Sequence, residues 1–362
     1  MTGLLQSLIT IVLFILILGG LVLIHELGHF VTARLAGVRV LEFGIGFPPR
    51  ARVIRRGGET LYTLNWLPIG GFVKLEGEDG DEEDDPRSFV RARLPVKLII
   101  LLAGVTMNLV LSFVIFAGIA ITGEPAYGVT IGEVVAGSPA EGAGIVAGDT
   151  LVSVNGKQYS AFDNTTPSGD LRALGGKTVE IGILHADGTS ETLRVTLRVP
   201  ATPQDIALGI GKQQPLQIGT IHLSPLDAVR LGATRTVDAF SLILGGLGDL
   251  GRSIVTSPTT APPASGPVGI AVDLGHILWG LGPLYVIYMA GLLSANLALV
   301  NVLPFPPLDG GRAAVALIQS VSNNRIGHAA ERLVYLTGFV LLMALLVWLT
   351  LFDTGILQRQ SL

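Results

Sequence analysis

An apolar run extends from Leu8 to Ile24, broken only by Thr10 and the Gly19–Gly20 pair, and passes through His25-Glu26-Leu27-Gly28-His29 into Phe30 and Val31. It is long enough to cross a bilayer as a helix, placed at about 6–33. A secretory leader would put basic residues before the run and a small-residue cleavage site after it, and this run has neither. Three more apolar helices are expected at about 95–121, 281–303 and 333–352. Between the first two spans the pattern changes to strands, at about 42–75: Thr60-Leu61-Tyr62-Thr63-Leu64 and Phe72-Val73-Lys74-Leu75 alternate, and Pro68 and Gly70-Gly71 supply turn chemistry. This stretch is too apolar for a solvated hairpin, so it is expected at or partly within the membrane, covered by the helices.

Between the second and third spans lies a β-rich island, 126–200. Strands are predicted at Val179–Leu184 and Glu191–Leu197, joined by a hairpin at Asp187-Gly188. Residues 201–280 read as a linker carrying an amphipathic, membrane-surface helix at about 225–254, where Arg230, Arg235, Asp238, Asp249 and Arg252 interrupt apolar residues at helical spacing. The fold class is therefore a multi-pass α-helical membrane protein with about four spans, a membrane-associated β-hairpin or sheet, and one inserted β-rich domain.

Composition agrees: 49% of the 362 residues are hydrophobic and 14% charged, against about 25% charged in soluble domains. A net charge of −4 argues against nucleic acid as a partner, and the lack of cysteine excludes disulfides and thiolate-bound metals. Eleven Lys and Arg residues fall between Arg34 and Lys97, and Arg312, Arg325 and Arg332 lie between the last two spans. Both loops are thus expected in the cytoplasm, with the termini and the island outside an inner (plasma) membrane. Glu76 to Asp85 holds eight carboxylates and reads, as 76–86, as a solvated acidic linker.

The chemistry concentrates in two places. On a helix, His25 and His29 project from one face at a spacing that suits one metal ion, and Glu26 beside them is a carboxylate able to take a proton from water held there. Ionisable groups inside an apolar span are costly and mark function by default. Zinc in a catalytic site needs a third protein ligand and an open position. The third span ends in Asn301-Val302-Leu303-Pro304-Phe305-Pro306-Pro307-Leu308-Asp309-Gly310-Gly311. Its prolines break the helix and leave Asp309 near membrane depth, where a metal would offset the cost of an unpaired carboxylate.

The two motifs in this order, on the first and third spans, resemble the site-2 protease family in its bacterial RseP-like branch. The run Ser138-Pro139-Ala140, Ala143-Gly144, Gly148-Asp149-Thr150-Leu151, Val154-Asn155-Gly156 resembles a PDZ domain, which captures peptides along a strand edge. The resemblance implies a zinc metalloendopeptidase that cuts single transmembrane segments inside the bilayer, usually after another protease has removed the substrate's outer domain. It assigns His25, His29 and Asp309 as Zn2+ ligands and Glu26 as general base. Asn301 and Asn296 become binders of the substrate backbone, whose unwound amides and carbonyls need partners where water is scarce. It makes Leu61 to Leu75 a membrane-associated β-loop able to receive the substrate as an added strand. Single-pass membrane proteins are the implied substrates, such as an anti-sigma factor or a remnant signal peptide, with the bilayer and a peptide or protein ligand of the PDZ domain as further partners.

The chain departs from that pattern in two ways. Relatives carry G-P-x-x-N in the second span where this chain reads Gly104-Val105-Thr106-Met107-Asn108, and one PDZ-like stretch is present where well-known relatives have two. Asn108 is therefore left without a role, and a PDZ groove is expected near Tyr127 to Ile131. His185, His222, His276 and His328 are expected to be ordinary surface residues. The alternative is a catalytically silent, zinc-stabilised PDZ scaffold, against which Glu26 argues, because a structural metal has no use for a water-activating carboxylate.

Overall fold

Apolar residues without an internal proline sustain one long helix, α1 (Thr2–Leu35), which ends at Gly37 in the left-handed region, φ 77°. The computed structural model describes residues 2–78, 85–200, 205–257, 260–322 and 328–356. The chain forms two units, Met1–Ala117 with Arg230–Leu362, and Gly118–Val229.

In the first unit, β1 (Val40–Gly57) and β2 (Thr60–Leu75) are antiparallel strands that each fold back on themselves. Gly44 pairs with both Thr63 and Phe72, and Tyr62 with both Phe43 and Arg55, so the two strands make four ribs in the order 50–57, 60–67, 40–47, 71–75. The bends fall at Pro48-Pro49 and around Pro68 to Gly70, where proline removes a ladder donor and Gly70 takes φ 77°. The turn chemistry read at Pro68 and Gly70-Gly71 thus acts as a bend within β2, whose main partner, β1, the sequence pattern did not reveal. This bend lies along α1, with Gly71 next to Leu23 and Glu26.

The acidic segment that follows is described only at its ends; 79–84 lie outside the described residues. Those ends are ion-paired: Arg39 Nη1 lies 3.2 Å from Glu76 and 3.5 Å from Asp85, and Glu78 pairs with Arg312. A solvated linker was expected because partners 37 and 234 positions away are invisible in a local charge run. α2 (Leu94–Thr122) follows, with Pro95 in its first turn.

The second unit is a β-domain. β3 (Glu124–Thr130), β4 (Glu133–Val134), α3 (Pro139–Gly142), β5 (Thr150–Val154), β6 (Lys157–Ser160), α4 (Pro167–Ala173), β7 (Thr178–Leu184), β8 (Ser190–Thr196), β9 (Ile210–Gly211) and β10 (Gln214–Ile221) follow in order. The main sheet runs β10-β3-β6-β5-β7-β8, with β4 and β9 paired separately. Ile131, Leu151, Ile181, Ile183, Leu171 and Leu208 lie in its core. Ser138 caps α3 by accepting from the Glu141 amide, while Glu141 accepts from the Gly137 amide at 2.6 Å. Segments 205–224, read as linker, supply β9 and β10 to this domain. Both edges of β3 are therefore occupied: β10 pairs with one, through Val129↔Pro215 and Tyr127↔Gln217, and β6 and β5 with the other. Where a groove was expected, near Tyr127 to Ile131, the strand through Thr130 is thus paired with the chain's own β10, whose weak apolar alternation concealed it.

The first unit is completed by α5 (Pro225–Thr256), α6 (Pro267–Gly280), α7 (Pro283–Val302), α8 (Asp309–Val321) and α9 (His328–Asp353). Among the described residues four helices are long and apolar enough to cross a membrane: Gly3–Leu35, Leu94–Thr122, Pro283–Val302 and Ala330–Asp353. In α5, Ala239 is buried with Phe116 of α2 and Ala295 of α7, so this stretch of the amphipathic helix lies on the bundle. α6, at about 1.5 Å per residue, is too short to span. Instead its Trp279 indole donates to Thr10 of α1 at 3.2 Å, and Asp353 at the end of α9 accepts the Gly266 and Gly269 amides at 3.1 and 2.8 Å. A carboxylate at that N-terminus satisfies two orphan donors of the helix.

In the β-domain, His185 Nδ1 lies 2.9 Å from buried Asp149 and its Nε2 lies 3.4 Å from Glu191. These hydrogen bonds, to Asp149 first and then Glu191, raise the His185 pKa above its usual value. A raised histidine pKa stabilises the fold below the unfolded value of about 6.5 and ceases to do so as pH climbs through the folded value. Amide exchange of the β7–β8 hairpin in the full protein should therefore speed up as pH rises above about 6.5, beyond the intrinsic base effect. His185→Gln should remove that excess; an unchanged excess would show that His185 is not its source.

Candidate metal centre

Gly28 and Gly104 let α1 and α2 meet closely. A Cβ at Gly28 would stand 2.5 Å from the Ala103 carbonyl oxygen, and one at Gly104 would stand 2.5 and 2.6 Å from Nε2 of His29 and His25. Small residues at such contacts are how membrane helices pack, since lipid gives no hydrophobic drive between them. The two imidazoles, both buried, are T-shaped to each other with centroids 4.8 Å apart.

Each ring is held on its far side by α2. His29 Nδ1 donates to the Ile100 carbonyl at 2.8 Å, which leaves the Nε2 lone pair free. His25 Nδ1 faces Asn108 Nδ2 at 3.3 Å; Asn108 is fully buried and its Oδ1 has no hydrogen-bond partner.

The third donor arrives where the chain breaks helix. α7 ends at Val302, Leu303 turns extended, and Pro304-Phe305-Pro306-Pro307 lead to Asp309 at the start of α8. A Cβ at Gly310 would overlap the Val302 carbonyl, so glycine is what allows α8 to fold back tightly on the end of α7. Asp309 Oδ2 then lies 2.8 Å from His25 Nε2 and 3.3 Å from His29 Nε2. The three ligand atoms lie within 4.8 Å of one another, and no other such group of three occurs among the described residues. Ligand atoms around a tetrahedral divalent ion stand about 3.3 Å apart, so these residues fit one.

Glu26 is half-buried on the adjoining face of α1, its stem beside Gly71 and its charge within reach of His25, His29, Asp309 and Glu78. Glu78 also accepts the Leu75 amide and pairs with Arg312, one turn beyond Asp309, which ties α8 to the end of the β-ribs. Asn296 and Asn301 lie half-buried on α7, Asn301 in its last turn, and neither side chain is hydrogen-bonded among the described residues. The structure thus brings together His25, His29 and Asp309 with Glu26 alongside, and shows no contact joining Asn296 or Asn301 to them. His222 and His276 are exposed, His185 belongs to the β-domain, and the His328 side chain lies outside the described residues.

Sequence reasoning missed the contribution of α2: Ile100 through its carbonyl, Gly104 through its lack of a side chain, and Asn108. A glycine and an asparagine four apart in an apolar span share one helix face, and that polar group at membrane depth was the available signal.

Two histidines of an apolar helix and a carboxylate from α8, converging beside a half-buried glutamate, form a donor set that fits one divalent ion. The chain belongs to peptidase family M50, which it matches over residues 13–345. It is 33% identical, over 96% of this chain and 98% of the other, to a Clostridium acetobutylicum protein bearing a zinc metalloprotease name. It is 28% identical to the zinc metalloprotease RasP of Geobacillus kaustophilus, over 95% of this chain and 97% of that one. It is 27% identical to the regulator of sigma-W protease RasP of Bacillus subtilis, over 94% and 97%.

Gly104→Ala would push a methyl group into both imidazoles. Metal affinity, read from metal content after dialysis against graded chelator, should fall by at least about tenfold, as for loss of an outer-sphere partner. Unchanged affinity would show that the two helices have room to separate.

Proposed function

We propose that this chain is a zinc-dependent intramembrane endopeptidase that cleaves transmembrane segments of single-pass membrane proteins. The observation that carries the reading is the meeting of His25, His29 and Asp309 from α1 and α8, with Glu26 adjoining them. Family membership and relatives bearing zinc metalloprotease names favour Zn2+ as the ion.

His25, His29 and Asp309 hold the metal. Zinc, when bound, polarises a carbonyl as a Lewis acid and lowers the pKa of water to about 7. Glu26 takes the proton of the attacking water and hands it to the leaving amine, since its charge reaches His25, His29 and Asp309 alike. The free amides of Asn296 and Asn301 bind backbone groups of the substrate, which must unwind before an endopeptidase can reach its peptide bond. The outer edge of rib 71–75, which begins at Gly71 beside Leu23 and Glu26, receives the unwound strand by β-addition.

The reading extends to location and partners. The protein spans the inner (plasma) membrane four times with its active site toward the cytoplasm and its termini and β-domain outside, following the basic residues. The β-domain acts as a PDZ module that binds a peptide or filters substrates by size. Substrates are of the anti-sigma-factor or remnant-signal-peptide kind; a relative named a regulator of sigma-W protease favours the first.

The test is cleavage of a tagged single-span substrate by detergent-purified protein, with bound zinc counted in the same samples. Glu26→Gln should keep its zinc and lose activity by about 10²–10⁴-fold. A variant that cuts like wild type removes Glu26 as base, and a wild type that holds no metal overturns the whole reading. Asn296→Ala and Asn301→Ala should each retain zinc and raise KM more than they lower kcat, the signature of lost binding. Unchanged KM in both would remove them from substrate binding.

A further inference from the structure

The second span carries a buried amide that the proposed chemistry does not use. Asn108 is fully inaccessible to solvent, its Nδ2 is 3.3 Å from His25 Nδ1, and its Oδ1 has no hydrogen-bond partner. A buried carbonyl left without a donor demands an explanation. Its backbone carbonyl accepts from Ser294 Oγ of α7 at 2.8 Å, which fixes the residue in place.

The two ends of an asparagine amide occupy nearly the same volume, so the 3.3 Å contact puts an end of the Asn108 amide against His25 Nδ1 whichever way the amide is turned. An imidazole that binds a metal through Nε2 carries its proton on Nδ1 and needs an acceptor there. With Oδ1 toward His25, the amide accepts that Nδ1–H, and its oxygen is no longer without a donor. Ser112, one turn further along the same face, is likewise buried with an unpartnered hydroxyl.

The geometry points to Asn108 as the positioning residue of His25: its amide oxygen accepts the Nδ1–H and holds the imidazole in the tautomer that ligates a metal through Nε2. His29 needs no such device, because the Ile100 carbonyl opposite its Nδ1 can only accept. The inference rests on the metal-site reading above, and the two fail in different ways.

Zinc dissociation constants of the purified full-length protein, by chelator competition, provide the test. Asn108→Leu, of similar size, can neither donate nor accept, and should weaken zinc about 10–100-fold. Asn108→Asp keeps an acceptor, and should bind zinc at least as tightly as wild type. A general packing defect would not be repaired by aspartate. Leucine binding zinc like wild type, or aspartate losing tenfold or more, would overturn the inference. If the leucine variant does not fold, judged by its circular dichroism and gel filtration, the aspartate result decides alone. His25→Ala separates the two readings: if it binds zinc as tightly as wild type, the metal site itself is misassigned, and Asn108 falls with it.

Discussion

Ionisable side chains can sit in an apolar helix bundle only if each polar atom finds a partner, and most of the first unit follows from that constraint. His25 and His29 lie on a helix made chiefly of Leu, Ile, Val and Gly, so the ring nitrogens must be met from other elements. α2 meets them on one side, at Ile100 and Asn108, and Asp309 meets them on the other. Placing Asp309 there requires α7 to end and the chain to fold back tightly, which Pro304, Pro306, Pro307 and Gly310 permit. The apposition of α1 and α2 requires glycine at 28 and 104. A few small or helix-breaking residues thus do for this site what hydrophobic burial does in a soluble core.

The elements around the centre are themselves tied by polar contacts rather than by area. Asp353 caps α6, Glu78 holds α8 to the exit of β2, and Arg39 gathers Glu76 and Asp85 at the base of the ribs. Such bonds fix direction as well as proximity, which apolar contact alone does not. Glu26 itself lies beside both the His25–His29–Asp309 cluster and Gly71 of the β2 bend. The β-domain follows the other regime: a continuous apolar core of Ile, Leu and Val under one sheet, with charge pairs such as His185–Asp149 at its margin.

The four long apolar helices and the β-domain are legible from the sequence because each is written locally, and local spacing also singles out His25, His29 and Asp309, which the fold brings together. Apolar run length reports a span, alternation reports a strand, and two histidines four apart with a glutamate between them report a shared helix face. The hairpin at Asp187-Gly188 was legible for the same reason. Tertiary structure alone decided what those residues meet. The four-rib fold of β1 and β2, the pairing of β10 with β3, the ion pairs of the acidic segment, and the use of Ile100, Gly104 and Asn108 all join positions far apart in the chain. No local pattern encodes a partner 83 residues away, as Asn108 is from His25. Asn108 shows the limit most clearly: the sequence marked it as a polar residue in an apolar span, and only the fold revealed which nitrogen it faces.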